Sequence, residues 1–158
     1  MVANMEKVGI LDTSIATENT GDSIIMESAR EVLESLLDAQ TFYFPTHEKL
    51  GATSYRIQQQ LAYNVACGTN LLHAHMGLVK QWNVGLIDAF KQKPVVLLGV
   101  GWRSQASRKT DFYTRWLLRR LLDSRLYHSV RDSYSEGRLR EIGFENVLNT
   151  GCPTCWSL

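Results

Sequence analysis

The run Pro94-Val95-Val96-Leu97-Leu98-Gly99-Val100 constrains the fold more than any other segment. It carries no charge and no alternating polar position, so it has no side for solvent and reads as a strand covered on both faces. Val8-Gly9-Ile10-Leu11-Asp12 has the same character. Strands of that kind belong to parallel sheets held between layers of helix. Thr41-Phe42-Tyr43-Phe44 before Pro45, Asn64-Val65-Ala66-Cys67 ending at Gly68, Leu126-Tyr127-His128-Ser129-Val130 and Val147-Leu148 read as further strands. Helical periodicities fall between them. The first is capped by Asp22 or Ser23 and has Ile25, Met26, Ala29, Val32, Leu33, Leu36 and Leu37 at its apolar positions. Others cover 54–63, rich in glutamine, 77–91, which contains Gly85, the amphipathic stretch between Asp111 and Asp123, and Ser133 to Ile142, stopped by Gly143. Strands alternating with helices at this spacing specify an α/β fold, a doubly wound and mostly parallel sheet with helices on both faces. A chain of 158 residues fills one such domain, spanning 1–158.

A net charge of +1 argues against a nucleic-acid binder and against an acidic solvating tail. The charge is unevenly placed. Residues 1–100 carry seven Lys/Arg against ten Asp/Glu, and residues 101–158 carry ten against six, a net +4 rich in arginine. That excess fits an anionic ligand or an acidic partner domain, and a solvated helix face explains it more simply. The start Met1-Val2-Ala3-Asn4 lacks the basic and apolar regions of a signal peptide, and no apolar stretch approaches a membrane span. The expectation is therefore a cytoplasmic, non-spanning protein, in which three cysteines are reduced thiols.

In doubly wound sheets a ligand sits at the carboxyl ends of the strands, where the strand order reverses. The loops there are 13–22, 68–75, 99–104 and 131–135. The first opens on a helix N-terminus, where N–H groups and the helix dipole can receive a carboxylate or phosphate, with Asn19 and Thr20 adding donors. The simpler reading has Asp22 capping the helix and Asn19-Thr20-Gly21 turning into it. No GxGxxG or Walker sequence occurs there, against dinucleotide and P-loop sites. Gly99-Val100-Gly101-Trp102-Arg103-Ser104 either brings backbone close to a ligand and offers Arg103 as a forked donor, or is a tight turn with a surface arginine. Arg131-Asp132 is either a charged pair at the crevice, with the Ser133 and Ser135 hydroxyls beside it, or a strand edge followed by a helix cap. His73-Ala74-His75 lacks a third ligand at metal spacing, so no metal site is assigned. Cys152-Pro153-Thr154-Cys155 has redox spacing but no following helix to stabilise a thiolate, which favours a structural role.

Asn19-x-Gly21-Asp22, Gly68-Thr69-Asn70, Gly99-x-Gly101, Ser129-Val130-Arg131-Asp132-x-x-Ser135, Leu139, Gly143 and Gly151-Cys152-Pro153-Thr154 follow one another in the order of the polysaccharide pyruvyl transferases. From about residue 8 to its end the chain resembles the N-terminal domain of that family. The resemblance implies a Rossmann-like domain forming one half of a GT-B-like pair that faces across a cleft. It also implies transfer of a pyruvyl unit from phosphoenolpyruvate to a cell-surface glycan or lipid-linked sugar, as a ketal and with no cofactor. The substrate-binding positions it marks are Asn19, Gly21, Asp22, Gly68, Thr69, Asn70, Gly101, Arg103, Arg131, Asp132 and Ser135; no catalytic residue is assigned. Two departures stand out: Cys67-Gly68-Thr69-Asn70 replaces a glycine-richer run, and the Arg and His motif of the family's second half has no counterpart. The apolar ending Trp156-Ser157-Leu158 suggests a missing continuation, so the expectation is an absent C-terminal domain and no turnover without it. The alternative is a non-catalytic module that keeps the fold and a sugar or anion site.

Overall fold

The computed structural model describes residues 5–103 and 109–156. Four strands pair in parallel, β1 (Glu6–Asp12), β2 (Ala39–Pro45), β3 (Tyr63–Cys67) and β4 (Val95–Leu98), in the spatial order β2-β1-β3-β4. Ile10 stands opposite Tyr43 on one side and Val65 on the other, and Val65 opposite Val96. A second parallel pair, β5 (His128–Val130) and β6 (Val147–Asn149), continues past β4 through an isolated bridge between Val100 and Val130. The chain thus runs outward from β1 to β2, then returns across β1 to β3. The gap between β1 and β3 is the point where the order reverses.

Alternation along the strands divides the core in two. Val8, Ile10, Val65 and Cys67 face α1 (Thr20–Leu36) and meet its Met26, Ala29 and Leu33. Leu11, Phe44, Ala66 and Leu97 face the opposite layer, which includes Leu117, Leu118 and Leu121 of α4 (Phe112–Leu121) and Leu139 of α5 (Ser133–Glu141). Helices therefore cover both faces, and the sheet is the Rossmann-like, doubly wound one that the alternation specifies. None of the helices among the described residues is long and apolar enough to cross a membrane.

Several boundaries differ from those the periodicity implies, each because a tertiary contact takes the backbone or side chain elsewhere. Helix α1 begins at Thr20, with Asn19 as its cap in place of Asp22 or Ser23; Asn19 Oδ1 accepts the Gly21 amide at 3.0 Å. The helix α2 (Ala52–Gln58) stops short of 63 because Gln58 turns inward. Its amide makes a reciprocal pair with buried Asn64, 2.9 Å each way, and Gly9 leaves room for Asn64 where any β-carbon would overlap it. Of the segment 77–91 only α3 (Leu86–Lys91) is helical. The preceding residues give their backbone bonds to neighbouring loops, as when Asn83 donates to the Thr46 carbonyl at 2.8 Å. Strand β4 ends at Leu98 because Gly99 turns to φ +64°, and β5 starts at His128, since the Leu126 amide is held by Asp123 Oδ1 at 3.0 Å.

His128 joins β5 to the rest of the core. Its Nδ1 accepts the Leu97 amide at 3.2 Å, so Nε2 carries the proton and donates to the Asp123 carbonyl at 2.8 Å. The ring stands edge-on to Phe144, centroids 5.6 Å apart. Both nitrogens are satisfied only in the neutral form, and burial lowers the imidazole pKa from 6.5, against the raising effect of Asp123. An unfolded chain takes up a proton below pH 6.5 that the folded chain refuses, so this contribution to stability is lost as pH falls through that value. We predict that the urea midpoint falls between pH 7 and pH 5.5, with a slope of up to about 1.4 kcal/mol per pH unit. His128→Asn is less stable at pH 7 and shows a shallower decline, which parallel urea titrations at the two pH values check.

Candidate functional site

Gly99, Val100 and Gly101 bring together loops from across the carboxyl edge of the sheet. The Gly99 amide donates to Ser129 Oγ at 2.9 Å, and a β-carbon there would stand 2.5 Å from Pro153 Cγ. Arg131 donates its amide to the Val100 carbonyl at 3.2 Å, and Gly101 donates to the Thr69 carbonyl at 2.9 Å. Gly101 itself is flanked by two candidate side chains. A β-carbon at this position would lie 2.5 Å from Arg131 Nε and overlap Asn70 Oδ1. Three separate loops, after β3, β4 and β5, thus place Asn70, the Gly101 backbone and Arg131 side by side.

The fold holds that arrangement in a strained form. Gly68 turns to φ +62° directly against Ile25 of α1, where a β-carbon would collide. Thr69 follows at φ +38°, a conformation costing a β-branched residue about 1–2 kcal/mol. Its carbonyl accepts both the Leu71 and Gly101 amides, at 3.0 and 2.9 Å, and so fixes the strained turn. Arg131 keeps 29% of its side chain exposed, and its ion-pair partner among the described residues is Asp132, 3.6 Å from Nε. Asp132 uses its other oxygen to cap α5, accepting the Ser135 amide at 2.7 Å. Among the described residues, Asp132 is the one ion-pair partner of the Arg131 guanidinium.

Other candidates have settled structural partners. Ser135 is fully buried and its Oγ accepts the Trp102 amide at 2.6 Å, so it holds the loop after β4 from below. Arg103 is exposed and contributes a backbone bond to Leu72 at 2.7 Å; Ser104 lies outside the described residues. Asn19 caps α1 with Gly21 folded beneath its side chain. Asp22, in the first turn, is 2% exposed, takes the Thr17 hydroxyl on Oδ2 at 3.0 Å, and lies 3.6 Å from His47 Nε2.

Contacts around these residues were not legible in the sequence. The buried carboxylate Asp12, at the end of β1, is paired with Arg30 of α1 at 2.7 Å and takes both the amide and hydroxyl of Ser14, at 2.7 and 2.6 Å. The bond to Asp12 raises the Arg30 pKa. His75 pairs with Asp111 at 2.8 Å through Nδ1, and His73 Nδ1 accepts the His75 amide at 3.0 Å. Burial tends to raise the Asp111 pKa, but the Thr114 amide and His75 outweigh it and the net direction is downward. Spacing showed the two histidines as a pair; it carried no sign that a helix cap 36 residues on would orient one of them. Buried polar atoms without a partner among the described residues gather at this edge: Thr13 Oγ1, Asp22 Oδ1, Thr46 Oγ1, His47 Nε2, Asn70 Oδ1 and His73 Nε2. Each such atom costs about 1–3 kcal/mol unless something meets it. A separate concavity of about 470 Å³, lined among others by Leu50, Tyr55, Lys80, Leu86 and Tyr113, contains none of the sequence-marked residues.

The family model described as polysaccharide pyruvyl transferase matches residues 19–158, a span that includes every candidate from Asn19 to Ser135. The chain belongs to the polysaccharide pyruvyl transferase family. No curated protein sequence matches it significantly. The edge carries Arg131 and Asn70 on the side of β4 and β5, and the Asp22 carboxylate, the Thr13 and Thr46 hydroxyls and the His47 imidazole nearer β1 and β2. Among the described residues, no group of three or more His, Cys, Asp or Glu side chains is placed to hold a metal ion. Cys67 is buried and its thiol pKa is pushed up by that burial; Cys152 accepts the Thr154 hydroxyl at 3.2 Å in a short 3-10 turn packed on α1.

The two glycines flanking Val100 should respond differently to substitution. Gly99→Ala forces a side chain into a left-handed position against the Pro153 ring and should cost on the order of 2 kcal/mol or more. Gly101 has no left-handed φ, and the atoms a β-carbon would meet belong to the Asn70 and Arg131 side chains and not to backbone. Gly101→Ala should therefore cost under about 1 kcal/mol while displacing Asn70 and Arg131. Urea midpoints of the two variants check this: a Gly101→Ala midpoint lowered as far as that of Gly99→Ala would refute the distinction.

Proposed function

We propose that these loops hold phosphoenolpyruvate in an enzyme that transfers its pyruvyl group to a sugar of a cell-surface glycan or lipid-linked precursor, in the cytoplasm. The observation that carries this reading is the meeting of Arg131, Asn70 and the Gly101 backbone, within the span matched to the family. Phosphoenolpyruvate bears a phosphate and a carboxylate on adjacent positions. A planar guanidinium matches either group with two parallel bonds, and Asn70, whose Oδ1 lies buried beside Gly101, borders the same place. The glycine leaves room for the Asn70 and Arg131 side chains where a β-carbon would fill the space.

The chemistry asks for orientation and charge more than for covalent participation. Protonation at the terminal carbon of the enol makes its neighbour electrophilic, a sugar hydroxyl adds there, and phosphate departs. Cationic donors fixed on the phosphate stabilise the charge it carries away. A non-catalytic anion-binding module would share the binding and lack the transfer.

Calorimetric titration of the chain with phosphoenolpyruvate tests the proposal. Saturable binding is expected, stronger than for inorganic phosphate or pyruvate alone. Arg131→Ala should weaken it at least tenfold, about 1.4 kcal/mol, with an unchanged circular dichroism spectrum. Wild-type affinity in Arg131→Ala, or no binding by the parent chain, would count against the assignment.

A further inference from the structure

Buried polar atoms without a hydrogen-bond partner among the described residues lie at the ends of β1 and β2 and in the first turn of α1. Thr13 and Thr46 each follow the last paired residues of those strands, Asp12 and Pro45, and the Thr46 amide donates to the Asp12 carbonyl at 3.3 Å. Both hydroxyls are buried without a partner. Asp22 reaches in from α1 with Oδ1 also unmet, and His47, next after Thr46, directs Nε2 to within 3.6 Å of Asp22 Oδ2.

The protonation of His47 follows from its other nitrogen. Nδ1 lies 2.8 Å from the Gln81 carbonyl, which can only accept, so Nδ1 bears the hydrogen. A neutral His47 therefore turns a lone pair toward a carboxylate, acceptor facing acceptor, at a separation too long for a good hydrogen bond. Either the imidazole is charged or a group with its own hydrogen lies near both. Anions are poor occupants beside the Asp22 carboxylate, whereas a hydroxyl donates and accepts at once and suits two threonines, a carboxylate and an imidazole together. Asp12 adds little repulsion of its own, being neutralised by Arg30 at 2.7 Å.

We propose that Thr13, Asp22, Thr46 and His47 form the subsite for a hydroxyl of the sugar acceptor, with His47 Nε2 as the base that takes its proton. The inference rests on the transferase reading above. As the sugar oxygen bonds to the central carbon of phosphoenolpyruvate, its proton moves to Nε2 and Asp22 stabilises the imidazolium. A second hydroxyl of the same sugar forms the other carbon–oxygen bond as the carbon–phosphate oxygen bond breaks, the electron pair leaving with phosphate. The terminal carbon takes its proton from solvent and the second hydroxyl returns one to solvent, while Nε2 passes its proton to the departing phosphate, which leaves as hydrogen phosphate, so His47 ends neutral.

Imidazole nitrogen NMR on the full chain tests the assignment, with the methyl pyranosides of glucose, galactose and mannose as probes. At least one should move the His47 Nε2 resonance saturably. Asp22→Asn should weaken that binding at least tenfold, as should Thr46→Val, a smaller change that guards against misfolding in the first variant. Arg131→Ala should leave it within twofold. No movement of His47 with any glycoside, or unchanged affinity in folded Asp22→Asn and Thr46→Val, overturns the subsite. Phosphoenolpyruvate, added separately, should shift the Gly101 amide and leave His47 in place; a direct response at His47 also overturns it. If phosphoenolpyruvate binds and the glycosides do not, only the subsite falls, whereas failure of phosphoenolpyruvate itself removes the transferase reading.

Discussion

The crossing at Gly99–Gly101 is the constraint on which the rest of the carboxyl edge depends. Strand β4 must end there, because Gly99 adopts φ +64° and brings its backbone against the Pro153 ring. Val100 must then return to strand geometry, since it carries the bridge to Val130 that attaches β5 and β6 to the main sheet. One residue later, Gly101 must receive the β3 loop on its backbone and leave room for Asn70 and Arg131. Only residues without a β-carbon on both sides of Val100 satisfy these demands at once. Sheet continuity and the placement of Asn70 and Arg131 are therefore set by the same three residues.

The parallel strands, their two-faced burial and the doubly wound class were legible because they are local properties of apolar runs such as 94–100. The carboxyl-edge loops followed from the topology rule without further information. Boundaries were less accessible, for a shared reason: Gln58 leaves its helix for Asn64, and Asn83 gives its amide to Thr46, contacts between residues distant in sequence. The same holds within the site. Arg131 and Gly101 were visible as residue types, but their adjacency comes from β5 folding beside β4. The Asp22–His47 and His75–Asp111 pairs join segments distant in the chain, and no spacing rule relates their members. Asp22 illustrates the limit well. It was marked as a cap or a ligand, and it is a buried carboxylate in the first turn of a helix capped by Asn19.

Electrostatics separate the edge into two regions on either side of the switch between β1 and β3. Toward β4 and β5 the principal charged side chain is Arg131, with Asp132 diverted to its helix cap. Toward β1 and β2 the charges are Asp12 and Asp22, the first neutralised by Arg30 and the second facing His47. An anion and a neutral polyol would be sorted by this difference alone, since a phosphate placed beside Asp22 meets like charge in a low-dielectric setting while a sugar hydroxyl meets complementary donors and acceptors. The strand order makes the sorting possible. Because the chain reverses at β1, the loops after β2 and after β5 lie on opposite sides of the crevice between β1 and β3, each supported by a different set of backbone contacts. A substitution that disturbs the glycines near Val100 therefore perturbs the side of Arg131 first, and one in the β2 loop acts on the side of Asp22 and His47 without passing through the sheet junction.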